Sequence, residues 1–409
     1  MKPNLYLQDI FDLFDAVQKC KIFEDQKVMA DAIPLSPISE INQYFNTEKD
    51  QSGFDLKDFI LRHFDFDQPA PAISRAQTLP IDEHIEKLWD ELTRTADVEK
   101  GTLLKLPKPY LVPGGRFNEF FYWDSYFVML GLQVSGRIEM MENIVENCAS
   151  LINEFGFVPN ASRTYFLSRS QPPYFSLMLD LLAESTNDKT VYARYFDSLE
   201  KEYEFWMDGA AELENGNQYR HVLKTKAGAV LNRYFDDENK PRPESYMIDM
   251  EDAEMSQNPE FYRNIRAACE SGWDFSSRWF ADGNSIRTIE ILNLAQVDLN
   301  CLLWHSENTL AKASELQNFE EKKNNYRKKA EARKMAIDQY FWSEGDKIYK
   351  DYNIKSESQT SSEHIATLYP LFLKLANQEQ AKAVSETIKD KFLKVGGLMT
   401  TTQDSGQQW

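Results

Sequence analysis

Residues 113–126, Pro-Gly-Gly-Arg-Phe-Asn-Glu-Phe-Phe-Tyr-Trp-Asp-Ser-Tyr, set two glycines, an arginine, two carboxylates and a run of aromatics ahead of an apolar helical segment. Pro113-Gly114-Gly115 sets a turn in which backbone can approach a ligand closely. Arg116 offers a planar fork of donors. Glu119 and Asp124 accept hydrogen bonds from hydroxyls, and rings such as Phe117 and Trp123 suit the C–H face of a sugar. The chemistry indicated is recognition of a polyhydroxylated neutral molecule. The competing reading is an aromatic-rich packed turn.

Three further segments carry reactive types. In 160–173, Asn160, Arg169 and Gln171 hold the paired donors and acceptors that a vicinal diol takes. There Ser170 or Gln171 also suits a helix cap, and Pro172-Pro173 a first turn. Arg242-Pro243-Glu244, read alone, is a surface ion pair of little energetic weight. In 270–279, Gly272 permits a tight turn, and Trp273 and Trp279 can wall a pocket. Asp274 between those rings would be desolvated, which raises a carboxyl pKa. A proton donor near neutral pH needs that property. Arg278 beside it steadies charge or binds substrate. The alternative makes Asp274 a helix N-cap among packed tryptophans. Gly406-Gln407-Gln408-Trp409 says little without context.

The elements that must position these groups are helical. Ile81, Ile85, Leu88, Trp89 and Leu92 form one stripe, opened by Pro80. Met141, Ile144, Val145, Cys148, Leu151 and Ile152 lie on another, closed by Gly156. A third covers 189–208, and further helices fit 172–184, 298–314, 320–341, 363–376 and 378–393. Residues 21–79 and much of 209–260 read as irregular excursions. Polar-aromatic segments precede every second helix, at Asp124, Ser170, Asp298 and Ser362. In a stack of antiparallel pairs, those starts share one end, with unpaired N–H donors. The pattern predicts an all-α, α/α toroid over 80–409, with 1–79 as an N-terminal helix and irregular extension packed on it. About nine of the twelve helices of a closed (α/α)6 barrel are counted, so the toroid is expected to be incomplete at the C-terminus.

With 46 Lys plus Arg against 65 Asp plus Glu, the net charge is −19. That field repels nucleic acid and anionic membrane and leaves neutral ligands unaffected. Five scattered histidines offer no metal set, so neither metal nor cofactor is expected. Cys20, Cys148, Cys269 and Cys301 form no CxxC pair and read as reduced, buried thiols. Met1–Cys20 carries Asp9, Asp12 and Asp15 without an apolar stretch, unlike a signal peptide. The location expected on these grounds is cytoplasmic.

Together, Lys21-Ile22-Phe23, 113–126, Tyr165–Pro173, Phe205–Gly209, Leu231–Tyr234 and Ser271–Trp279 resemble the trehalases, inverting glycoside hydrolases of trehalose catabolism, in their bacterial cytoplasmic form. The resemblance implies an (α/α)6 barrel, monomeric in the full-length family, that splits α,α-trehalose into two glucoses without metal or cofactor. It makes Asp274 the general acid. It makes Arg116, Phe117, Trp123, Asp124, Asn160, Arg169, Ser170, Gln171, Arg242, Glu244 and Gly272 the sugar contacts. It places the general base in a glycine-rich segment after a second signature, which opens with Gln-Trp as at Gln408-Trp409. The base is therefore expected beyond this sequence, and turnover by this chain would suffer. Other outcomes are a catalytically inactive sugar-binding homologue and a related α/α-toroid disaccharide phosphorylase.

Overall fold

The computed structural model describes residues 6–66 and 79–409; the remainder of the expected N-terminal extension, 1–5 and 67–78, lies outside them. The extension is not irregular where it is described. Helices α1 (Phe11–Lys19), α2 (Ile38–Glu48) and α3 (Leu56–His63) bury Leu13, Phe14, Val17, Ile41, Phe45, Phe59 and Ile60 in a small core of their own. That core takes in Ala161, Tyr165, Phe166 and Tyr246 from the rest of the chain. These helices run only 8 to 11 residues. Their stripes are too short to stand out by periodicity, and α3 depends on a local cap, Asp55 accepting from Asp58 N–H at 2.9 Å.

The larger core belongs to paired helices. After α4 (Ile81–Glu91) come α5 (Tyr122–Val134) and α6 (Ile138–Phe155). The stripe expected in α6 is buried from Met141 to Ile152, and Gly156 ends the helix at φ 93°, where a side chain would be strained. Next are α7 (Phe175–Thr186) and α8 (Phe196–Trp206). The helix expected at 189–208 breaks at Tyr195, and α7 starts two residues beyond the prolines expected in its first turn.

Two further helices lie where none is expected, α9 (Tyr246–Ser256) and α10 (Phe261–Glu270). The buried face of α10 mixes Phe261, Ile265 and Ala268 with Arg266 and Glu270, so charge interrupts its apolar stripe. Then follow α11 (Val297–Leu316), α12 (Glu320–Tyr340) and α13 (Gln378–Thr387). The segment expected as a helix over 363–376 is a 3₁₀ turn, Ile365–Leu368, and one α turn, Tyr369–Phe372.

Helix α5 packs on α7, α7 on α11, and α11 on Tyr369–Phe372, which makes one inner row. Helices α6, α8 and α12 back this inner row, with α11 and α12 in contact along their length. Among the described residues, six small antiparallel sheets of two or three strands lie in the connections, one of which spans Gln218–Asn232. Ile81 and Ile85 of α4, and Phe127, Leu130 and Val134 of α5, stand exposed. No helix among the described residues is long and apolar enough to cross a membrane.

Candidate active site

The polar segments meet at one cavity of about 660 Å³. Arg116, Phe117, Trp123, Asp124, Asn160, Arg169, Gln171, Arg242, Glu244, Gly272 and Asp274 all line it. Ser170 does not. Its hydroxyl is bonded to the Val158 carbonyl at 2.7 Å, and its N–H donates to Glu270 at 2.8 Å.

Asp274 stands four residues past the end of α10, at φ 32°. It is not a helix cap. The next turn, Ser277–Trp279, is capped by Ser276, whose hydroxyl accepts from Arg278 N–H. Burial pushes the Asp274 carboxyl up to about 6, against Arg242 and Arg169, which pull it down, and with Glu244 and Asp124, which push it further up. Asp124 lies in the first turn of α5. Burial raises it too, partly opposed by its own backbone N–H and by the Gln171 amide. Gln171 in turn accepts from Trp123 N–H at 3.1 Å.

The cationic wall is built from paired groups. Arg169 donates to Asn160 Oδ1 at 2.9 Å and to Glu244 Oε1 at 3.1 Å, and lies over the Phe166 ring. Its Nη1 lies 3.5 Å from the buried Asp236 carboxylate, and the Glu244 Oε2 is buried with no hydrogen bond. An unspent acceptor such as Glu244 Oε2 on a cavity wall is what a hydroxylated ligand would satisfy. Burial pushes Glu244 up, but Arg169, Arg242 and Arg266 outweigh it and hold the carboxyl below its ordinary value. Arg242 is gripped by Asp249, at 2.6 Å from Nη2 and 2.9 Å from Nε. Arg116 lies on the rim, exposed, and pairs with Asp25 at 2.6 Å.

The N-terminal unit reaches both loops that carry these arginines. Lys27 Nζ is 3.0 Å from Glu119 and also pairs with Asp31. Gln26 Oε1 accepts from Met247 N–H at 2.7 Å, and Tyr246 Oη donates to Asp15 at 2.8 Å. Glu119 is therefore an anchor inside the protein and not a sugar contact. Lys27 itself lines the cavity, as do Cys269 and Tyr369, whose hydroxyl meets that of Tyr174 at 2.6 Å. Nothing local in the sequence marks Lys27. Tyr369 begins an inner-row segment, like Trp123, and that position was its signal. Cys20 is exposed, contrary to expectation, and the other three cysteines are buried and unpaired.

Arg278 is not a ligand group. It is buried between Trp273 and Trp279 and binds Asp298 and Asp351 beneath the site.

Gly272 is required twice over. Its φ is +73°, and a Cβ there would lie 2.5 Å from the Trp123 indole. Gly272→Ala should displace Trp123 and the Asp274 turn together, costing about 1–3 kcal/mol of stability. Denaturant melts of the variant check this; a parent-like midpoint would contradict it.

Alternating helices around a sugar-sized cavity, with a desolvated carboxyl and an arginine-held carboxylate on its wall, define a glycosidase of the α/α-toroid class. The trehalase family model matches residues 18–409, and the chain belongs to the trehalase family. It is 43% identical over 403 residues to a periplasmic trehalase of Xanthomonas axonopodis pv. citri, covering 97% of this chain and 70% of that protein. It is 42% identical over 402 residues to a periplasmic trehalase of Escherichia coli O6:H1, covering 97% and 71%. Among solved structures, the neutral trehalase Nth1 from Saccharomyces cerevisiae aligns with a TM-score of 0.60 at 27% identity. That alignment covers 73% of this chain and 57% of the yeast chain. The chain thus spans about 70% of the length of these curated relatives and just over half of the yeast protein. The relatives' periplasmic names overturn the cytoplasmic expectation.

Proposed function

We propose that this chain hydrolyses α,α-trehalose to two glucoses with inversion, and that Asp274 is the general acid. The observation that carries the reading is the Asp274 carboxyl, raised to about 6 on the wall of a cavity furnished with arginine, amide and aromatic groups. A cavity of about 660 Å³ admits a disaccharide. Trp123 and Phe117 face its sugar rings. Glu244 Oε2, which has no hydrogen bond, takes a hydroxyl. As the C–O bond breaks, the Asp274 proton passes to the bridging oxygen, and water adds to the anomeric carbon from the opposite face. That water must lose a proton to a second carboxylate, ~6.5–9.5 Å from the acid in inverting enzymes. Asp124 and Glu244 also line the cavity, but Asp124 is bonded by Gln171 and Glu244 is paired with Arg169. The base role is assigned to neither: the proton goes to the family's general base, which the resemblance places in a glycine-rich segment after the second signature. The relatives' names extend a periplasmic location to the same proposal.

The test is glucose release from trehalose in phosphate-free buffer, with the anomers followed by NMR. One α- and one β-glucose are expected at first appearance. Release only with inorganic phosphate would point to a phosphorylase. Calorimetric binding without release would point to a sugar-binding protein. The acid must be protonated, so kcat should fall as pH rises through about 6. A flat profile from pH 5 to 8 would remove Asp274 from this role.

A further inference from the structure

Glu270 ends α10 and is fully buried. Its carboxylate accepts from Ser170 N–H at 2.8 Å and from Phe235 N–H at 2.7 Å, and His221 Nε2 lies 3.1 Å from both oxygens. One turn earlier on the same helix, Arg266 donates to Ser168 Oγ at 2.9 Å and to Asp236 at 3.0 Å. Ser168 and Ser170 flank Arg169. Helix α10 therefore grips the chain on both sides of the cavity arginine, and four residues after Glu270 the same strand of chain delivers Asp274.

A carboxylate is the wrong charge for the C-terminal end of a helix, where cations are favoured. It is the right group for three converging donors, because an ionised carboxylate is acceptor-only on both oxygens. A glutamine would turn an NH₂ toward one of the buried N–H groups. We propose that Glu270 is a positioning residue, whose carboxylate fixes the spacing between Arg169 and Asp274. The proposal rests on the acid role given to Asp274 above.

The experiment compares the parent chain with Glu270→Gln and Ser168→Ala. It measures kcat, KM and the pH profile on trehalose, and amide hydrogen exchange at Ser170 and Phe235. For folded Glu270→Gln, kcat should fall about 10²-fold, as for a misplacement on the order of 1 Å, with KM changing less. Its alkaline limb should move upward, because the Arg169 cation that lowers Asp274 is no longer held close. Ser168→Ala should shift both readouts in the same directions by less. A folded Gln variant with parental kcat and limb would overturn the proposal, since a purely structural role leaves the limb in place. Should the Gln variant fail to fold, unchanged kcat and limb in Ser168→Ala would overturn it. If the parent releases no glucose, the functional reading fails by itself. Exchange and trehalose calorimetry then decide: faster exchange at both amides with weaker binding supports the positioning role, and parental values refute it.

Discussion

Asp274→Asn is expected to lower trehalose turnover by about 10²–10⁴-fold, the usual contribution of a positioned proton donor. Asparagine keeps the shape of the side chain and has no transferable proton. The cavity's arginines, amides and rings remain, so trehalose binding by calorimetry should stay within a few-fold. An α-glucosyl fluoride, whose leaving group needs little protonation, should lose far less rate than trehalose does. Stability gives an independent check. The Asp274 pKa is raised on folding, from an ordinary 3.8 to about 6. Its ionisation therefore costs stability as pH climbs between those values, and the cost persists above them. Above pH 6 the Asn variant should melt higher than the parent. Near-parental turnover of trehalose would end the assignment.

Arg278→Met is expected to destabilise the protein by about 3–5 kcal/mol, as when one partner of a buried ion pair is removed. Arg278 donates to Asp351 at 2.7 and 2.8 Å and to Asp298 at 2.6 Å. Methionine fills much of the slot between Trp273 and Trp279 but leaves two buried carboxylates without their cation. Burial pushes Asp351 up, and Arg278, then His364, outweigh it and hold the carboxyl far below its ordinary value. Its contribution is complete above the unfolded pKa and is lost as pH falls through the folded one. Equilibrium unfolding in urea at neutral pH measures the loss. A change below about 1 kcal/mol would mean that the two carboxylates are satisfied without the arginine.

The contrast between Asp274 and Arg278 marks what the sequence could tell. Both stand in one aromatic-rich segment, and composition alone gave either a place at the ligand. Gly272 and the neighbouring tryptophans indicated desolvation at Asp274, and burial there does raise its pKa. For Arg278 the deciding facts are Asp298 and Asp351, 20 and 73 positions away. No local pattern carries such pairings. Arg242-Pro243-Glu244 shows the same limit in reverse. It reads as a surface ion pair, yet Arg242 is buried against Asp249, and Glu244 turns to Arg169, 75 positions distant. Long apolar stripes such as that of α6 were legible because burial on one helical face requires them. Helix α10 was not, because the residues with which it grips the site, Arg266 and Glu270, are charged.

The fastening of the N-terminal unit to the rim has a consequence in time. Asp15 meets Tyr246 across 231 positions, and Gln26 meets Met247 across 221. Pairings so distant are slow to form, because the loop they close is costly in entropy before any contact rewards it. During synthesis the N-terminal helices can meet Glu119 and Tyr165 well before Tyr246 and Met247 exist. The contacts to Tyr246 and Met247 are therefore expected to close after those to Glu119 and Tyr165. Amide hydrogen exchange at Met247 is expected to report any opening of those contacts separately from the helix pairs, because its N–H donates to Gln26 across the seam.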